Sequence, residues 1–550
     1  MSSTTDRSTL VNRIAEGREP VVVTSPSQSK RWWMSPAAMV ALVILGTLLR
    51  GVAWSSDRNL WIDESMLALN LIERTPDRLL EPLDWNQGAP VGFLLASKAT
   101  IAQLGTSERA LRLIPVLGSI LGLVAFAWLA PRLLPRPAAM LAIALFSVSP
   151  FLIGYSAECK QYATDAAIAI GLFACAARLL NGEAGRRRWT VLAIAGALAV
   201  WFSHPAAFVL GGIGIALLAD ALLQKNRTRF LAAAAAIGTW LVSFTICYLL
   251  FLKNLGGNQY LLTYWDGHFL PLPPQSLGDL AWLLDHFFAP FSYPGGLGGT
   301  EIRAGGIAAV LFIIGIGGMA KRRWPVALAL VLPGVLTLFA SGLHKYPFAG
   351  RLLLFLVPLM ILGVAEGAGM VGSALARSQP FAASVLLGVL IAAPCLETYQ
   401  ELRRPMRFEQ LEPVLAEVRD EWQPGDRMYV YYGALPAFEY YTRESPFPAD
   451  AVSKGAEARV NAAEYRTQLA ALKGQPRVWV VFSHRHKHEE SIIQAYAEGL
   501  GRCEQSIRFP GAAAFRFNFA VQPGSEAVAA TPSNPERTEN RGAISRGGDR

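Results

Sequence analysis

The stretch SPAAMVALVILGTLLRGVA, residues 35–53, decides the fold. It carries a single charged side chain, and a helix of that length rises about 28 Å, which matches a hydrocarbon core roughly 30 Å thick. Similar runs recur as far as Leu396. Spans are predicted over 35–53, 113–130, 137–154, 162–180, 189–203, 206–223, 229–252, 303–320, 324–342, 350–370 and 379–398. With 52% hydrophobic and 17% charged residues, and a mean hydropathy of +0.32, water is not the solvent for most of this chain. The expected fold class is an all-α polytopic membrane bundle of about 11–12 transmembrane helices, with a small C-terminal extracytoplasmic α/β domain.

The net charge of +9 is distributed as membrane orientation requires, which excludes nucleic acid as a partner. Arg132/Arg136, Arg186-Arg187-Arg188, Lys225/Arg227/Arg229, Lys321-Arg322-Arg323 and Arg377 all fall on the side of the N-terminal tail. That side is expected to be cytoplasmic, in a cell inner (plasma) membrane. Val91–Leu104 is apolar enough to suggest another crossing, but a crossing there would turn every downstream arginine cluster outward. It is read as a short or interfacial helix. Cys159, Cys175, Cys247, Cys395 and Cys503 show no CxxC spacing, so neither a disulfide frame nor a metal knuckle follows.

The expected organisation is a cytoplasmic disordered tail over 1–34, a transmembrane domain over 35–400, an extracytoplasmic α/β domain over 401–520 and a disordered tail over 521–550. Within the α/β region, Phe408–Arg419 and Glu490–Leu500 read as helices, and Arg427–Tyr432 and Val478–Phe482 as strands.

Chemistry is expected in the loops on the non-cytoplasmic side. Ten residues beyond the first span stand Asp63 and Glu64, within reach of a reacting group at the membrane surface. Adjacent acids repel, which raises one pKa and suits proton transfer. A solvated pair capping the helix that begins at Ser65 is the plainer reading. Between two apolar helices lies the polar turn 155–165, where Glu158, Tyr162 and Asp165 would share one helical face and Lys160 adds a cation. A structural ion pair explains it equally well.

His344, Lys345 and Arg351 bring three potential cations to one turn, suited to a phosphate or to lipid headgroups. In the long loop 253–301, Tyr260, Tyr264, Trp265 and His268 can stack on or bond to a sugar, or form an interfacial belt. The run His484-Arg485-His486-Lys487-His488 reads as a solvated turn, because its cations disfavour a divalent ion.

Four of these features resemble, in their order along the chain, the polytopic glycosyltransferases of the GT-C fold. That superfamily includes the protein O-mannosyltransferases and the aminoarabinose transferase acting on lipid A. The features are the Asp63-Glu64 pair after the first span, Asn86-Gln87-Gly88-Ala89-Pro90 leading into an apolar helix, the Glu158–Tyr162 turn with Asp165, and Tyr346-Pro347-Phe348-Ala349-Gly350-Arg351 opening a late helix. The match covers roughly residues 35–400.

The resemblance implies inverting transfer of a sugar from a polyprenyl-phosphate donor in the membrane lipid to a lipid, glycan or protein acceptor. Asp63 matches the family's catalytic base, with Glu64 as its partner. Lys160, His344, Lys345 and Arg351 are implied to bind the donor phosphate, and Gln87, Glu158, Tyr162, Asp165 and His268 the substrate. Many relatives have arginine where this chain has Lys160, which departs from the pattern. No metal-binding set is identified, and a divalent cation is left open as cofactor. The alternative is a secondary transporter or flippase-like protein. Transporters place ionisable groups near the midplane, often in paired repeats, whereas here the charges collect at one surface and the halves do not repeat.

Overall fold

The computed structural model describes residues 34–521, apart from 57, 184, 299–300, 404–407 and 460. The tails expected at 1–34 and 521–550 fall, but for one residue each, outside the described residues. Among the described residues eight helices are long and apolar enough to cross a membrane, and a ninth span forms if the bent pair Arg136–Ser147 and Pro150–Ala157 is counted as one.

The 17-residue helix Arg186–Phe202 and a break inside Gly305–Gly342 account for the remaining predicted crossings. At that break Arg323 has φ −153° and ψ 72°. Pro325 follows, and it cannot supply the N–H that would bond to Lys321. Gly318 lies against Met370 while Gly334 lies against Leu356, so the two halves run in opposite directions along the helix Val357–Ser378. The sequence reads two spans where the backbone is nearly continuous, and the proline with its basic neighbours marks the turn.

One charged group deep inside the bundle is fully partnered. Arg50, in the middle of the first long run, is wholly buried and donates to Ser119 Oγ at 2.8 Å and to the carbonyls of Gly46 at 2.9 Å and Phe146 at 3.2 Å. Within the membrane such partners replace the missing water.

Val91–Leu104 forms a helix of 14 residues, about 21 Å long and too short to span. Phe93, Leu94 and Ile101 pack with Leu67, Leu69, Leu111 and Tyr440 into a core separate from that of the bundle. The segment belongs to a layer between the bundle and the C-terminal domain.

That domain carries a five-stranded sheet in the order β2-β1-β3-β5-β4, with β1 Arg427–Val430, β2 Val452–Lys454, β3 Val478–Ser483, β4 Arg502–Phe509 and β5 Ala512–Asn518. β1 pairs parallel with β2 and β3, and β5 pairs antiparallel with β3 and β4. β3 is buried along its whole length, since both faces are covered, and its alternate residues enter two cores. Trp479 and Val481 pack with the helix Leu411–Asp420, and Val478, Val480 and Phe482 with the helices Ala463–Ala470 and Glu489–Glu498.

The bundle depends on close approach of backbones. In Gly363-Val364-Ala365-Glu366-Gly367 two small residues one turn apart let the helices touch. A Cβ at Gly367 would lie 1.9 Å from the carbonyl oxygen of Leu311, and one at Gly315 would lie 2.0 Å from that of Gly363. Gly367→Leu is therefore expected to destabilise the bundle by at least about 1–3 kcal/mol. Thermal unfolding in detergent, compared with Gly372→Leu where a Cβ meets nothing within 4 Å, checks this.

Candidate active site

The sheet end of the bundle holds a cavity of about 670 Å³ between the membrane helices and the C-terminal domain. Its position follows from one buried ion pair. Glu64 and Arg112 are 0% and 2% exposed and meet through two bonds of 2.9 Å, Arg112 Nε to Oε1 and Nη2 to Oε2. The N–H of Cys159 donates to Glu64 Oε1 at 2.7 Å, and Arg112 donates to the carbonyls of Arg58 and Asn59. Three segments far apart in sequence are tied at one point. Successive residues of a helix point about 100° apart, so with Glu64 turned into the protein Asp63 faces the cavity.

Asp63 Oδ2 lies 2.5 Å from Arg351 Nη2. The guanidinium carbon of Arg351 sits 5.0 Å from the ring centre of Trp61 and 5.8 Å from that of Tyr162. Lys160, 4% exposed, donates from Nζ to Gln87 Oε1 at 2.5 Å. Burial pushes the Asp63 carboxyl up, but the charges of Arg351, Lys160 and His484 outweigh it and hold the group below its usual range. Burial also lowers the Lys160 ammonium, against the opposing pull of Asp63.

His344 and Lys345 are exposed on the same wall, His344 at φ 54° with its ring 4.7 Å from that of Phe269. Asp165 lines the cavity with one carboxylate oxygen buried and without a hydrogen-bond partner among the described residues. Phe208, Phe244, Tyr248 and Leu252 supply an apolar wall within the bundle.

The cavity thus brings together Asp63, Gln87, Lys160, Tyr162, Asp165, His344, Lys345 and Arg351. Glu64, Glu158 and His268 stand outside its lining. The face expected to join Glu158 to Tyr162 and Asp165 does not form, because Glu158 is extended, at φ −120° and ψ 140°, and the helix begins only at Tyr162. His268 acts through its backbone, its carbonyl accepting from the N–H of Phe348 at 3.0 Å and fixing the turn before Arg351.

Sequence reasoning missed His204 and read His484 as a solvated turn; both line the cavity. His204 lies between two apolar runs with only Ser203 beside it to mark a polar site, and His484 is set apart from its neighbours by a backbone conformation and by its bond to Glu409, neither of which spacing shows. Among the described residues, no group of three or more His, Cys, Asp or Glu side chains is placed to hold a metal ion.

No protein-family model and no curated protein matches the sequence. Solved structures do. ArnT from Cupriavidus metallidurans bound to undecaprenyl phosphate superposes at a TM-score of 0.52 with 14% identity, over 88% of this chain and 98% of that one. The fold is GT-C. The Archaeoglobus fulgidus oligosaccharyltransferase in complex with Zn and sulfate gives a TM-score of 0.50 and 11% identity, over 87% of this chain and 72% of that one. At such identities the likeness concerns architecture, and the residues of this chain have to be read on their own chemistry.

Two outcomes follow from the geometry. Glu64→Ala leaves Arg112 buried without its carboxylate and is expected to cost about 3–5 kcal/mol, read as a loss of folded protein in detergent. Glu158 is pushed up to about 7, first by burial and then by Glu64, against Arg58, Arg351 and Arg112. A carboxyl raised in the folded state contributes stability below its ordinary 4.5, and that contribution is lost as pH rises through about 7. Melting temperatures taken across that window should fall less for Glu158→Gln than for the wild type.

Proposed function

We propose that this chain is an integral membrane glycosyltransferase. It moves a sugar from a polyprenyl-phosphate donor to a lipid, glycan or protein acceptor on the non-cytoplasmic face of a cell inner membrane. The observation that carries the reading is the pairing of Asp63 with Arg351 at 2.5 Å, beside Lys160, on the wall of a cavity that is polar on one side and apolar on the other. The basic clusters at the opposite end of the bundle support the orientation. The C. metallidurans protein of the same fold is bound to undecaprenyl phosphate, which supports the donor class.

The donor's phosphate would sit between Arg351, Lys160 and Lys345, with its lipid chain along Phe244, Tyr248 and Leu252. Arginine offers a fork that matches phosphate oxygens, and the lysines add point charges. As phosphate takes Arg351, Asp63 loses the partner that holds its carboxyl down and becomes a stronger base. It then removes the acceptor hydroxyl's proton while the oxygen attacks the anomeric carbon. The phosphate leaves from the opposite face with the electron pair of the broken C–O bond, and configuration inverts. Charge developing on the leaving oxygen meets cations already aimed at it. Gln87, Tyr162 and Asp165 are assigned to orientation of the sugar, and His344 to the rim of the phosphate site.

Membranes containing the wild type, Asp63→Asn or no copy of the chain are supplied with radiolabelled polyprenyl-phosphate sugars, and label is followed into lipid, glycan and protein fractions. Transfer is expected only with the wild type, Asp63→Asn falling by at least about a hundredfold at equal expression. If Asp63→Asn transfers as well as the wild type, the base assignment is wrong.

A further inference from the structure

His484 follows β3 with φ 47°, a left-handed conformation that residues bearing a Cβ rarely take. The twist leaves its ring on the wall of the cavity that Asp63 also lines. Its Nδ1 is 2.8 Å from Glu409 Oε1, and Glu409 Oε2 accepts the N–H of Ile62 at 2.8 Å. One carboxylate therefore holds both the imidazole and the residue preceding Asp63. Since a carboxylate only accepts, Nδ1 carries the hydrogen, and the neutral ring presents the Nε2 lone pair. The sugar-transfer scheme above leaves this pair unused.

We propose that His484, oriented by Glu409, takes the acceptor's proton from Asp63 and releases it to solvent, so that the C-terminal domain supplies half of the acid–base machinery. The inference rests on the sugar-transfer reading. The acceptor's O–H bond breaks toward Asp63 as its oxygen bonds to the anomeric carbon and the phosphate departs with the electron pair. The proton then passes from the Asp63 carboxyl to His484 Nε2. The imidazolium, with its side chain 38% exposed, hands the proton to water. Asp63 is left ionised and again pairs with Arg351. In this role His484 acts through Asp63 and is a positioning and relay residue.

The charged groups that bear on His484 come from three directions: Glu409 ahead of the helix Leu411–Asp420, Asp63 from the helix Ile62–Glu73, and Arg459 from the loop after β2. His486 lies two residues along, and Tyr432 and Glu457 share the cavity wall. Burial lowers the imidazole, and Glu409 and Asp63 raise it further than burial and Arg459 together lower it. With the relay, the rate climbs through neutral pH as His484 sheds its resting proton. In kcat/KM, which reports the protein before donor binds, Asp63 alone is held below the usual carboxylate range by Arg351, Lys160 and His484 and gives no limb there.

The test measures kcat and KM for the full-length protein in liposomes, with the labelled donor pool, between about pH 5.5 and 9. Melting temperatures of the variants are taken first. His484→Asn is expected to lose the ascending limb and to lower kcat on the order of a hundredfold, with donor KM little changed. Added imidazole should restore part of the rate to His484→Ala. Glu409→Gln keeps an acceptor for the Ile62 N–H and removes the negative charge, so its limb should move to lower pH; it serves even if His484→Asn fails to fold. His484→Asn with an unaltered limb and rate overturns the proposal, as does Glu409→Gln with an unmoved limb. A wild type that transfers sugar from no donor pool overturns the sugar-transfer reading and this inference with it.

Discussion

The site depends on Glu64 and Arg112, which are buried together where the first loop, the segment before the second span and the 158–160 turn converge. A buried ion pair gains little net stability, because desolvating two charges costs about what their attraction returns. What it supplies is position. Arg112 engages both carboxylate oxygens and two backbone carbonyls, so the start of the helix Ile62–Glu73 has one permitted setting. Asp63 inherits that setting from its neighbour.

The C-terminal domain reinforces the same helix from the other side. Glu409 accepts from Ile62, Tyr441 from the N–H of Leu60 at 2.7 Å, and Glu412 from the side chain of Asn59 at 2.9 Å. A carboxylate at a helix N-terminus is favoured by the unpaired N–H groups and the dipole there. The domain is thus a structural partner of the loop that carries Asp63, and the cavity exists only where the two meet.

Much of the bundle was legible because length and apolarity are strong signals, and because basic clusters mark helix ends whatever the packing. Val91–Leu104 was ambiguous since its apolar residues face the intermediate core, which composition cannot distinguish from lipid. In the α/β domain β1 and β3 were visible as apolar runs, while β4 escaped because Arg502–Phe509 is an edge strand with mostly polar, exposed residues. At the site, Asp63, Lys160 and Arg351 could be named from residue type and loop placement. Which of two adjacent acids faces the cavity depends on a partner 48 positions away, and sequence spacing holds no trace of Arg112. His484 was hidden for a similar reason: the interspersed cations suggested a solvated turn, and the bond from its ring to Glu409, 75 positions away, leaves no trace in that run.

The Asp63–Arg351 contact also explains why acid and cations stand so close in a site proposed to take an anion. An arginine left unpaired at the membrane edge would bear a large desolvation cost, and a lone carboxylate there would take up a proton. Paired, each keeps the other charged while the cavity is empty. In the proposed reaction an arriving phosphate would exchange one anionic partner of Arg351 for another at little change in net desolvation, and the carboxylate so displaced is the group needed as a base. Binding and activation would then be one event of the proposed reaction, which keeps a strongly basic carboxylate from forming before a donor is in place.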